Sequence, residues 1–413
     1  KAPQAMSRLL QGDVGSGKTI VAAYALVLSV QSGLQSALMA PTEVLAQQHY
    51  LMLSKLFAPL DINVGLLISS MSRQAKSSTV QDIKSGAVDI VVGTHALIEE
   101  NLQFKRLGLV IIDEQHKFGV VQRSLLRKKG ETADCLVMTA TPIPRTLAMT
   151  VYGDLDISTI RELPKGRLPV STVWVKEHDV KNIYNFIREE VARARQVYIV
   201  CPLIKKSPVL ELKAASEMYE KLKEGEFRAY SVGLIHGRMK ALEKEKVMQG
   251  FKNHKIDILV STTVIEVGID IPNASVMVIR HAERFGLSQL HQLRGRIGRG
   301  PHPSYCILVS ELAGTEKARR RIDTMLNTQD GFRLAEEDLD IRGPGQFFGP
   351  AQHGLPELKL GNIVRDMQLL ELARRVAFSL VRRDPCLKAP QHCLIRQRLK
   401  EKFSSANIGL LSV

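Results

Sequence analysis

The chain has 413 residues, 45% of them apolar, which is ample for two or three domains with cores of their own and excludes a disordered chain. Its 57 Lys and Arg against 42 Asp and Glu leave a net charge of +15, which points to a polyanionic partner: nucleic acid first, with a ribosomal or acidic-lipid surface as the alternative. An uncharged apolar run of about 18 residues, the length a spanning helix needs, does not occur, so membrane insertion is not expected.

In chain order, the first half alternates short apolar strands with amphipathic helices. Strands are predicted at residues 8–11, 36–40, 64–67, 89–92, 107–112 and 135–139, and helices at 19–30, 43–57 and 72–85. Densely apolar strands joined by helices imply a mostly parallel sheet covered on both faces. The stretch Leu163-Pro-Lys-Gly-Arg-Leu-Pro169 interrupts both periodicities and is the expected linker. A second block of the same kind runs from about residue 171 to 310, with strands at 196–200, 231–235, 256–261, 275–279 and 304–309 and a helix near 240–252.

Beyond residue 310, helices are predicted at 316–326 and 362–383, and the loop Arg342-Gly-Pro-Gly345 ends any helix before it. Between residues 371 and 400, eight Lys or Arg face two Asp or Glu, a run that reads either as a solvated face or as a second nucleic-acid contact. The expected fold class is α/β: two P-loop lobes, residues 1–165 and 166–310, followed by a small, mainly helical region, 311–413. The chain starts at Lys1 without an initiator Met and reaches its first motif at Gly12, so further domains are expected upstream.

Cys135, Cys201, Cys306, Cys386 and Cys393 are few and widely spaced. They make neither a disulfide framework nor a CxxC knuckle and fit a reducing compartment. Cys386, His392 and Cys393 lack a fourth ligand at a sensible spacing.

Gly12-Asp-Val-Gly-Ser-Gly-Lys-Thr19 is a complete Walker A loop between a strand and a helix. Gly12, Gly15, Ser16 and Gly17 let successive amides turn toward phosphate oxygens, Lys18 reaches the β- and γ-phosphates, and the Thr19 hydroxyl is offered to Mg²⁺. About 95 residues on, the apolar run 109–112 ends in Asp113-Glu-Gln-His116. Asp113 is the second expected Mg²⁺ group, Glu114 the group that polarises the attacking water, and Gln115 and His116 are placed to sense the γ-phosphate. ATP and Mg²⁺ are therefore the expected cofactors.

These residues do not say what is moved, and a resemblance carries the reading further. The Asp-Glu-Gln-His box resembles the second motif of the superfamily-two helicases. Thr139-Ala-Thr141-Pro-Ile-Pro-Arg145 is similar to their third, which couples nucleotide state to lobe movement. Ala40-Pro-Thr42-Glu-Val-Leu-Ala46 and Gly93-Thr94-His-Ala96 resemble the first-lobe segments that hold a strand's backbone. His236-Gly-Arg-Met239 and Ser261-Thr262-Thr-Val-Ile-Glu-Val-Gly-Ile-Asp270 resemble the later motifs. Gln292-Leu-Arg-Gly-Arg-Ile-Gly-Arg299 resembles the sixth motif, which makes Gln292, Arg296 and Arg299 catalytic candidates, the two arginines as fingers facing ATP across the cleft. Fingers on a separate lobe tie hydrolysis to lobe closure.

Within the superfamily, Asp113-Glu-Gln-His-Lys-Phe-Gly-Val120, Met138-Thr-Ala-Thr-Pro-Ile-Pro-Arg145 and the run 283–300 resemble the bacterial RecG helicases, with the Mfd translocases as nearest relatives. The resemblance implies a translocation module in residues 327–354, with Arg342 and Gln352 as its coupling residues. It further implies ATP-dependent remodelling of duplex and branched DNA, including forks and Holliday junctions, held mainly through phosphates. A monomer in the bacterial cytoplasm is expected, with single-strand-binding protein as a candidate partner. An Mfd-like motor and a nucleotide-gated DNA clamp are the alternatives. Lys117, Arg280-His281-Ala282 and Pro350-Ala351 depart from the family pattern. The wedge domain that splits the branch point and the segment that recognises adenine have no counterpart in these residues.

Overall fold

The computed structural model describes residues 5–99, 101–114, 129, 133–140, 155–162, 168–202, 208–262, 271–311, 315–342 and 366–402.

The first lobe is built on a seven-stranded sheet. Its strands are β1 (Ser7–Gly12), β2 (Gln35–Met39), β3 (Val64–Leu67), β4 (Ile90–Gly93), β5 (Leu107–Ile112), β6 (Asp134–Thr139) and β7 (Asp156–Ile160). They lie in the order β3-β4-β2-β5-β6-β1-β7, and every pairing is parallel. A parallel neighbour needs a crossover, and α1 (Lys18–Gln31), α2 (Glu43–Phe57) and α3 (Arg73–Ser85) supply three of them. The helix limits follow local chemistry. Thr42 Oγ1 accepts from the Leu45 amide at the start of α2, Ser72 Oγ from the Ala75 amide at the start of α3, and Gly86 ends α3 at φ +84°. Leu26, Leu38, Leu53, Phe57, Val92 and Ile111 fill the core between sheet and helices.

The second lobe repeats the plan. Its strands are β8 (Val170–Val175), β9 (Gln196–Val200), β10 (Val232–Ile235), β11 (Ile258–Ser261), β12 (Ala274–Arg280) and β13 (Ser304–Val309). Their order is β10-β11-β9-β12-β13-β8, again wholly parallel. Strand for strand this is the order of the first sheet without its last member. Its helices are α4 (Val180–Ala192), α5 (Pro208–Lys221), α6 (Ala241–Lys252) and α7 (Leu287–Arg294).

Even the pins at the sheet ends match. Gln35, opening β2, donates to the Ile83 and Val88 carbonyls, and Gln196, opening β9, donates to those of Phe251 and Ile256. Asp89 accepts from the Asn63 amide as Asp257 does from that of Ser231. Both lobes are RecA-like α/β units, as the sequence implied.

Two further helices, α8 (Glu316–Asn327) and α9 (Gly331–Arg342), press Ile322, Met325, Leu334 and Ile341 into the second lobe's core. Residues 366–402 belong to a separate compact unit holding α10 (Met367–Arg383) and α11 (Cys393–Lys402). Between them Asp384 ties down the turn, accepting from the Lys388 and Ala389 amides and from His392 Nδ1. Among the described residues, no helix is long and apolar enough to cross a membrane.

Candidate nucleotide site

Strands β5, β6 and β1 are neighbours and run the same way, so the residues following each meet at one sheet edge. After β1 comes the Walker loop, after β5 the pair Asp113 and Glu114, after β6 Ala140. Ligands of parallel α/β sheets bind at this edge.

Gly15 at φ +77° and Gly17 at φ +91° take left-handed conformations that let the loop curl, and Gly17 caps the start of α1. A Cβ on Gly12 would meet Ser16 Oγ at 2.5 Å, so the loop is closed tightly on itself. The first turn of α1 carries no acidic side chain, which leaves its amide end positive. Lys18 Nζ lies buried within the loop, 2.8 Å from the carbonyls of Gly12 and of Asp13. Burial holds its ammonium below the usual lysine range, against the pull of Glu114, Asp113 and Asp13, and the Arg299 charge adds to the lowering. Ser16 Oγ is buried with no hydrogen-bond partner, an unmet polar group of the kind a phosphate oxygen satisfies. Loop, helix end and buried cation fit a nucleotide's phosphates.

Asp113 extends the β5–β2 ladder through its amide to the Met39 carbonyl. Burial acts to raise its carboxyl, but the hydrogen bond and charge of His49, with Lys18 and the Glu114 amide, bring it below the ordinary aspartate range. Glu114 sits at φ +51°, a costly backbone state for a residue with a side chain. Burial and then the Asp113 charge push its carboxyl above the ordinary glutamate range. Neighbouring acids whose environments drive them apart suit separate tasks, a constant charge on one and a proton-accepting role on the other. The Ala140 amide donates to Glu114 Oε2 at 3.4 Å, which joins the second motif to the third.

The second lobe reaches this edge through the C-terminus of α7. His291 Nε2 stands 2.6 Å from Asp13 Oδ1, and Arg294 Nη2 lies 3.2 Å from His291 Nδ1. Arg294 also donates to the Met325 and Thr328 carbonyls at 3.0 Å, at the end of α8. Just past α7, Arg296 is close enough to lower the Glu114 carboxyl, and Arg299 close enough to act on Lys18. Gln292 is buried on α7 itself.

Comparison with known proteins sets these features in a family. Residues 2–150 match the DEAD/DEAH box helicase family, residues 178–301 the helicase conserved C-terminal domain, and residues 328–412 the ATP-dependent DNA helicase RecG, domain 3, C-terminal. The ATP-dependent DNA helicase RecG of Bacillus subtilis is 50% identical over 398 residues, which are 96% of this chain and 58% of that protein. The Thermotoga maritima RecG is 52% identical over 369 residues, 89% of this chain and 47% of that protein. A solved structure of RecG bound to a three-way DNA junction superposes with a TM-score of 0.74 at 48% identity, covering 90% of this chain and 48% of that one. Over nearly its whole length this chain is similar to the RecG helicases. It spans about half the length of the curated RecG relatives it matches. The DUF1998 helicase MrfA bound to DNA, 19% identical with a TM-score of 0.59 over 81% of this chain and 53% of its own, shares the fold.

In this chain the structure gathers Gly12, Gly15, Ser16, Gly17, Lys18, Thr19, Asp113, Glu114, Arg296 and Arg299 around one edge. Other expected residues sit at the ends of neighbouring elements. Thr42 caps α2, buried Thr94 follows β4, buried Thr139 ends β6, and buried Thr262 follows β11. Arg342 ends α9. His116, Lys117, Thr141, Arg145, Pro350, Ala351 and Gln352 lie outside the described residues. Of the departures from the RecG pattern, Arg280 is buried and donates to Glu177 and to the Tyr184 hydroxyl, so it serves the second lobe's packing. Sequence reasoning missed His49, Asp13, His291 and Arg294. His49 carried one signal: it is a polar residue on the buried stripe Ala46, His49, Leu53, Phe57 of α2.

Proposed function

We propose that this chain is the ATP-driven motor of a helicase that remodels branched DNA by translocating on duplex. The observation that carries the reading is the meeting of the Walker loop, the Asp113–Glu114 pair and the arginine segment of the other lobe at one edge. Lys18 and the loop amides bind the β- and γ-phosphates, while Thr19 and Asp113 hold Mg²⁺, which when bound offsets phosphate charge. Glu114, its carboxyl raised by burial, accepts a proton from the attacking water. Arg296 and Arg299 stabilise the charge that develops on the transferred phosphoryl group, so turnover requires the two lobes together. Gln292 supports them from α7.

In this reading residues 1–165 and 166–310 form the motor and 311–413 transmit its movement to DNA. Arg342 and Gln352 serve as coupling residues there, and Thr42, Thr94, Thr139, Thr141, Arg145 and Thr262 line the strand-holding and lobe-coupling segments. The junction-bound RecG structure and the net charge of +15 support duplex and branched DNA as the track, gripped mainly through phosphates.

The test is the steady-state ATPase rate without DNA, with linear duplex and with a model fork, using Glu114→Gln as the blank. Stimulation by both DNAs, lost in the mutant, is the expected result. A rate that neither DNA changes would overturn the proposal.

A further inference from the structure

Asp13 and Val14 stand between the first two glycines of the Walker loop. Both face the second lobe. Asp13 Oδ1 accepts from the Val14 amide at 2.6 Å and lies 2.6 Å from His291 Nε2. A guanidinium only donates, so Arg294 Nη2 makes His291 Nδ1 the acceptor, and Nε2 then carries the hydrogen that Asp13 receives. Arg294 is itself fixed by the Met325 and Thr328 carbonyls, which leaves the imidazole no freedom to turn.

One turn on, Gly295 closes against Val14. A Cβ there would meet Val14 Cβ at 2.8 Å and both Val14 γ-carbons at 3.0 Å. Arg296 follows immediately, and Arg299 Nε donates to the Gly295 carbonyl at 3.2 Å. Where Gly295 rests therefore fixes where both arginines begin.

We propose that Asp13 and Val14 form a seat on the Walker loop for the end of α7, with His291 and Gly295 as its partners, and that this seat positions Arg296 and Arg299 over the nucleotide. The inference rests on the functional reading above and deepens it. Asp13 and His291 are positioning residues: they act through the arginines.

The test is a double-mutant cycle in the 413-residue chain with Asp13→Ala, His291→Ala and the pair, reading kcat and KM for ATP with duplex DNA present. Each single change is expected to lower kcat about tenfold with KM moved less than about twofold, and the pair to be no worse than either alone. Asp13→Asn keeps an oxygen acceptor and His291→Gln a donor at the same reach, so each restores most of the loss. Gly295→Ala, which keeps both hydrogen-bonding groups, is expected to lower kcat by forcing Val14 aside. Unchanged kcat in the singles, or losses that multiply in the pair, would overturn the seat.

A second readout is independent of turnover. Dyes on Asp61→Cys and Gly225→Cys, with Cys386 and Cys393 replaced by serine, report the distance between lobes. Asp13→Ala and His291→Ala broaden that distribution if the seat exists and leave it unchanged if it does not. A wild-type rate no higher than that of Glu114→Gln would defeat the functional reading, and the dye pair would still decide the seat.

Discussion

His49 Nε2 lies 2.9 Å from Asp113 Oδ2, a contact across 64 residues of sequence that joins a buried face of α2 to the acidic end of β5. The imidazole holds the carboxylate in one orientation and favours its charged form. His49→Ala is expected to raise the Mg²⁺ concentration needed for half-maximal ATPase by about tenfold, the lower end of what loss of such a supporting partner costs. His49→Gln, which can still donate, should lose less. A Mg²⁺ titration of ATPase rate for the three proteins checks this, and identical curves would refute it.

Glu190 has no exposed surface, yet accepts from Arg193 Nη1 and Arg195 Nη1 at 2.7 Å. The bonds lock the end of α4 to the loop that feeds β9. Glu190→Ala should lower stability by about 1–3 kcal/mol, because it leaves the mostly buried Arg195 guanidinium without its carboxylate. Arg193 is largely exposed, so Arg193→Ala should cost less than about 1 kcal/mol. Urea unfolding midpoints of both variants measure the difference.

Thiol chemistry should divide the five cysteines. Cys386 and Cys393 are exposed, whereas Cys135, Cys201 and Cys306 are buried. Burial pushes the Cys201 thiol up to about 11 and that of Cys306 up to about 12, so neither supplies thiolate at neutral pH. A disulfide reagent on the native chain should react at two sites, and serine at positions 386 and 393 should abolish that reaction until the protein is unfolded.

The turn between α10 and α11 should respond to acid. The His392 hydrogen bond, with those from the Ala389 and Lys388 amides, lowers the Asp384 carboxyl from 3.8 to about 2. A depressed carboxylate stabilises the fold above its unfolded value and loses that contribution as pH falls through the folded one. The turn should therefore hold at pH 4 and loosen toward about pH 2. The amide resonances of Lys388 and Ala389 should titrate in that window, and Asp384→Asn should remove the transition.

Much of the fold was legible in the sequence because strands buried on both faces, such as β5, β9 and β12, are nearly continuous apolar runs. What escaped has the opposite character. β7, Asp-Ile-Ser-Thr-Ile, is an edge strand with no fully buried residue, and β8 alternates exposed and partly buried positions beside the linker. α7 is eight residues long inside a basic motif that masks its periodicity. α4 was not among the expected elements, although Val180, Ile183, Ile187 and Val191 carry a helical spacing.

The nucleotide loop was readable because its geometry is local, set by glycines a few residues apart. The contacts that assemble the rest are not local. Asp13 and His291 are 278 residues apart, and only the closing of two sheets toward each other makes them neighbours.

The matched glutamines at the heads of β2 and β9 bear on how such a machine tolerates change. Each side-chain amide ties its strand to two carbonyls of an adjacent helix–strand crossover, and Gln35 also accepts from the Lys105 and Arg106 amides. Both staples sit where strands begin, the end away from the nucleotide. The same core plan thus anchors two lobes whose opposite rims differ, one forming a phosphate cradle and the other carrying arginines. What the two lobes hold in common is the fastened rim, and the chemistry in which they differ lies at the rim opposite the staples.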